Sequence, residues 1–114
     1  MDRCRARPAG AAFAGLALLT ALGCASLTAR APLVTAEMGA AAAARGIDAA
    51  APERGRAIYV GRCTRCHGPV TVADRSPQQW QRILPAMAQK AKLTAAEAGD
   101  VTAYVEVVTG NPLR

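Results

Sequence analysis

Bulky aromatic side chains are scarce: one Trp, two Tyr and one Phe make up 4% of the 114 residues. The apolar fraction of 52% rests largely on Ala, which excludes an ordinary core filled by large side chains. A single His, His67, excludes every mechanism that needs two imidazoles. After residue 24 no apolar run approaches the roughly 18–20 residues of a spanning helix, so a multi-span membrane protein is excluded. Lys and Arg are scattered, with no basic run interleaved with aromatics, and no nucleic-acid partner is expected. The length allows one domain.

What is present begins with an address. Arg3, Arg5 and Arg7 precede an uncharged small-residue stretch from Ala9 to Leu22, the pattern of a secretory signal peptide over residues 1–23. Ala21-Leu22-Gly23-Cys24 resembles the lipobox of bacterial lipoproteins, in which the Cys becomes the acylated first residue of the mature chain. The Leu that the lipobox favours three places before the Cys is Ala21 here, with Leu22 one position late. Two alternatives stay open: cleavage after Ala29-Arg30-Ala31 and release of a soluble periplasmic protein, or an N-terminal anchor that is never cut. Loss of residues 1–23 removes three Arg and one Asp, leaving 11 basic residues against seven acidic from the original 14 and 8.

Residues 24–51 are expected to be a lipidated start and a disordered tether, being Ala-rich, free of aromatics and broken by Pro32, Gly39 and Gly46. A loose helix over Glu37 to Arg45 is compatible with this composition. As a flexible chain, residues 25–51 would span roughly 30 Å, a leash between a bilayer and a soluble domain. Residues 52–114 change character and are expected to form an all-α domain of three helices. The first starts at Pro52-Glu53-Arg54 and carries Gly55, Ile58 and Tyr59 on one face. The second starts at Ser76-Pro77-Gln78-Gln79 and carries Trp80, Ile83, Leu84 and Met87, with Pro85 expected to kink or break it. The third starts at the capping pair Thr94 and Glu97, carries Val101, Tyr104, Val105 and Val108, and stops at Thr109-Gly110-Asn111-Pro112. Helices this few make a poor core alone; a disulfide, metal or cofactor is the usual remedy.

Cys63-Thr64-Arg65-Cys66-His67 is C-x-x-C-H, the attachment pattern of haem c. The two thiols join the two vinyl groups as thioethers, and the adjacent imidazole faces the iron as its proximal ligand. Other readings of the same residues differ in what they require. Zinc needs two further ligands, and the remaining Cys4 and Cys24 lie in the address segment. A thioredoxin-like dithiol calls for a βαβ setting, of which there is no sign. A simple structural disulfide in an exported chain stays open.

Arg54-Gly55 to Tyr59, then the C-x-x-C-H segment with Gly68, then Leu93-Thr94 to Tyr104 resemble, in that order, the small monohaem class I c-type cytochromes. The likeness covers about residues 52–109. It implies that the first and last helices of the domain cross, with Gly55 permitting close approach and Tyr59 and Tyr104 packing at the crossing. It also implies a Met as sixth iron ligand. Met1 goes with the signal and Met38 lies in the tether, which leaves Met87. The same Met87 would equally serve as core packing on the Trp80 stripe, and Lys90 or Lys92 are alternative ligands in principle. The implied function is single-electron transfer, without catalysis, between a redox donor and a redox acceptor on the outer side of a bacterial membrane. Asp74, Glu97, Asp100 and Glu106 read as caps or solvated helix residues and form no acid–base pair. Trp80, Ile83, Leu84, Val101, Tyr104 and Val105 would wall the haem, and Arg62 and Arg65 would meet propionates, a partner or only water. Two alternatives accompany this reading. One is a haem subunit docked on a periplasmic dehydrogenase, which the segment from Trp80 to Thr94 also resembles; the other is a five-coordinate gas-binding or sensing module.

Overall fold

Side-chain caps decide where three of the helices begin. Thr35 accepts a hydrogen bond from the Met38 N–H and opens α1, Ala36–Ala43. Ser76 and Gln79 exchange hydrogen bonds with each other's backbone N–H and open α3, Pro77–Lys90, with Pro at its start. Thr94 and Glu97 form the same reciprocal box and open α4, Ala95–Thr109, which ends on Gly110 at φ 71°. Each box satisfies two N–H groups that the helix itself cannot. The remaining helix, α2, covers Ala51–Gly61 and begins with Pro52 in its first turn, while Asp48 accepts from the Ala50 N–H just ahead of it. The chain was described in a computed structural model over residues 26–113; the expected signal peptide and Cys24 lie outside the described residues. Among those residues the fold is all-α, with short 3-10 turns at Cys63–Arg65 and Val72–Asp74 and no strand. No helix among them is long and apolar enough to cross a membrane.

The largest interface joins α2 to α4. It closes at Gly55, where an added Cβ would run into the Asp100 carbonyl oxygen and come within 2.9 Å of the Tyr104 Cβ. Around this contact Tyr59, Trp80, Tyr104, Val72 and Val105 are all fully buried. The rings meet with centroids 6.3 Å apart and 73° between planes for Tyr59 and Trp80, an edge-to-face pair, and 6.0 Å for Tyr59 and Tyr104. Few aromatics therefore suffice, because three of the four in the chain sit together. Arg54 ties the same crossing from outside with a bidentate pair to Asp100 at 2.8 and 2.9 Å and a further bond to Asp48 at 2.8 Å.

Three expectations need correction. The described part of the proposed tether is folded onto the domain: residues 26–30 are helical, α1 follows, and Ala31 and Ala42 are fully buried. Its contacts run through backbone and methyl groups. The Tyr104 hydroxyl donates to the Pro32 carbonyl at 2.9 Å, and Arg56 Nε donates to the Ala31 and Pro32 carbonyls at 3.1 and 2.9 Å. Secondly, of the kink or break expected at Pro85 the break does not occur, since α3 runs on through it. A proline inside a helix removes its own ladder donor and crowds the carbonyl four residues back, here that of Gln81; a capping box with 13 further helical residues outweighs that cost. Thirdly, Glu106 is not solvated. It is 7% exposed, accepts from the Leu113 N–H at 2.7 Å and lies 3.9 Å from Arg45, so it fastens the C-terminal segment.

Candidate functional site

The C-x-x-C-H segment leaves α2 at Gly61 and turns at once into the 3-10 stretch Cys63–Arg65. Local bonds set that turn: the Thr64 hydroxyl donates to the Val60 carbonyl at 2.6 Å and Arg65 Nε to the Gly61 carbonyl at 3.0 Å. Arg62 acts over a longer range. Its guanidinium reaches Glu97 at 2.7 Å and the carbonyls of Ala91 and Lys92 at 2.7 and 3.0 Å, clamping the motif to the turn between α3 and α4. This gives Arg62 an internal role in place of the solvated or partner-facing one expected. Lys92, at φ 53°, is part of the clamped turn.

Cys63 is buried and Cys66 exposed, and both are free thiols. Burial pushes the Cys63 thiol up, against a weaker downward pull from Arg62. That is the reverse of the depressed thiolate a dithiol reagent needs. The His67 ring donates from Nδ1 to the Gly68 carbonyl at 2.8 Å, since a carbonyl can only accept. This bond fixes the tautomer and leaves Nε2 with a lone pair for a metal.

Met87 stands where three clefts meet. One, of about 310 Å³, is lined by Cys63, Leu84, Met87, Leu93, Val101 and Thr102 among others. A second, of about 300 Å³, is bordered by Tyr59, His67, Arg75, Trp80, Ile83 and Met87. The third, of about 50 Å³, brings Cys63, Cys66, His67 and Met87 to one opening beside Lys90. Ile83, Leu84 and Met87 are only partly buried although they continue the Trp80 stripe, because that stripe fronts the clefts beyond Trp80. Of the wall residues expected, Trp80, Ile83, Leu84 and Val101 line the clefts, whereas Tyr104 and Val105 lie in the core away from them.

The two larger clefts have a mainly apolar lining. Clefts of this size and lining match those that take organic ligands, and Cys63, Cys66, His67 and Met87 all border the smallest of them. Among the described residues no three His, Cys, Asp or Glu side chains come together as a metal-holding group. Two residues at the site had no sequence signal. Arg75 borders the cleft that contains His67, and Arg30 donates to the Pro69 carbonyl at 3.1 Å, next to the motif. An arginine that serves a cleft or a carbonyl leaves no periodicity to read.

Three comparisons with known proteins add nothing to this geometry: no family model, no curated protein and no solved structure matches the chain.

Proposed function

We propose that the protein is a monohaem c-type cytochrome that carries single electrons between redox partners on the outer side of a bacterial membrane. The observation that supports this most is the shared opening of Cys63, Cys66, His67 and Met87 onto apolar clefts. Cys63 and Cys66 would hold the group covalently, as thioethers to its two vinyl substituents. His67 would offer Nε2 to the iron, its ring held by the Gly68 carbonyl. Met87 offers its thioether sulfur, a ligand that favours a higher potential than a second imidazole or an oxygen would. Leu84, Leu93 and Val101 would exclude water, and Arg75 would be a cation available to the propionates. The bound group supplies one-electron chemistry between Fe(III) and Fe(II). Three of the carboxylates are already engaged: Glu97 by its cap and Arg62, Asp100 by Arg54 and Glu106 by the Leu113 N–H.

Export and acylation at Cys24 belong to this proposal. Cleavage after Ala31 would discard Arg30 and a fully buried Ala31, so the packing of residues 26–31 favours a cut farther upstream. Protein made with haem c maturation machinery and purified in its native state tests the ligand set. The oxidised wild type shows the weak red-end band of sulfur–iron ligation, and its reduced form does not shift with carbon monoxide. Met87→Ala loses the band and gains the shift. A wild type that binds carbon monoxide as readily as Met87→Ala would show that Met87 is core packing only.

A further inference from the structure

We infer that residues 26–35 form a strap that belongs to the cofactor site, with Arg30 as a positioning residue for His67. The inference rests on the cytochrome reading for its last step only. Residues 67–71, which follow the second Cys of the motif, have no regular secondary structure, so their shape depends on side-chain donors. Carbonyl after carbonyl is taken. Gly68 accepts from His67 Nδ1 at 2.8 Å, Pro69 from Arg30 Nη1 at 3.1 Å, and Val70 from the Tyr59 hydroxyl at 2.6 Å. Val72 then accepts from Trp80 Nε1 at 3.0 Å.

Tyr59 and Trp80 hold the far end of this loop from the core. Arg30 reaches Pro69, the residue beside the carbonyl that orients the imidazole. Its backbone is a firm base, because Ala31 is fully buried, its N–H bonds to the Leu27 carbonyl at 2.8 Å, and Pro32 is held by Tyr104 and Arg56. Adjacent peptide planes share a Cα, so holding the Pro69 carbonyl restricts that of Gly68. The His67 Nδ1 bond in turn sets the ring's direction and raises its basicity as a ligand.

The test compares wild type, Arg30→Ala and Arg30→Lys in the full mature protein. Hydrogen exchange at Ala31 and Asp74, whose N–H groups bond to the Leu27 and Thr71 carbonyls, reads the strap and the loop whether or not haem is attached. Losing one hydrogen bond speeds it about fivefold in Arg30→Ala, and Arg30→Lys, which still donates, restores most of the protection. The midpoint potential of the haem-loaded forms reads the reach to iron. It is measured in about 1 M salt, where the screening length of about 3 Å removes the field of an exposed charge. Under those conditions Arg30→Ala lies above wild type, because a less basic imidazole favours Fe(III) less. Unchanged exchange overturns the strap. Faster exchange with equal potentials at high salt overturns the positioning role. A wild type that takes up no haem ends the cytochrome reading instead, and the exchange comparison still decides the strap.

Discussion

Gly55 shows how much one missing methyl group decides. Its Cα faces the Asp100 carbonyl oxygen, which is backbone and cannot rotate away, and the Tyr104 Cβ sits behind it. Gly55→Ala is expected to cost about 3 kcal/mol in chemical denaturation, the upper range of overpacking effects; a loss below about 1 kcal/mol would mean that α2 and α4 separate easily. Tyr59 carries a second prediction. Burial pushes its phenol from 10.0 up to about 12, and Tyr104 is raised in the same direction, again chiefly by burial. A raised folded-state pKa means that the unfolded chain loses its proton first. The stability involved is complete below pH 10 and is lost as pH climbs towards and through about 12. Melting temperature followed from pH 9 to 12 should fall beyond pH 10, and fall less steeply in Tyr59→Phe. Equal slopes would contradict the assignment. The phenols were visible in the sequence as helix-face residues at a crossing; their hydrogen bonds to the Val70 and Pro32 carbonyls were not, because a carbonyl acceptor can belong to any residue.

Among the elements, those with chemical punctuation were legible and those without it were not. Ser76 with Gln79 and Thr94 with Glu97 marked the starts of α3 and α4 to the residue, and Gly110 marked an end. Cys63, Cys66, His67 and Met87 were singled out from spacing and resemblance, and the structure brings them to one opening. Residues 26–51 were misread because small side chains signal flexibility by composition while also permitting close approach. Gly39, for example, would place a Cβ 3.1 Å from the Ala49 carbonyl oxygen, so α1 needs its lack of bulk in order to pack. The strap makes this difference measurable. A chain beginning at Pro32 lacks the buried Ala31 methyl and the Arg30 bond, and should be less stable than one beginning at Cys24 by about 2 kcal/mol. Thermal unfolding of the two forms decides it; identical melting temperatures would return the segment to the status of a leash.

At the scale of the molecule, a short polypeptide with few large apolar residues has arranged them around three aromatics and left a cleft beside them. A small core of that kind is the setting in which a covalently held cofactor contributes most to the folded state. The same arrangement changes the picture of attachment. With residues 26–30 helical and Ala31 fully buried, an anchor at Cys24 would stand two residues, at most about 7 Å of chain, from the described fold instead of roughly 30 Å, so the domain would rest against the bilayer rather than swing from it. The proposal as a whole turns on whether Cys63 and Cys66 hold a porphyrin. Digestion of denatured, purified protein, followed by mass analysis of the peptides containing these residues, tests this directly. The account predicts that both cysteines are found in red material carrying the mass of one haem through two thioether bonds. Colourless peptides whose cysteines react fully with a thiol reagent, or that are joined to each other as a disulfide, would contradict it.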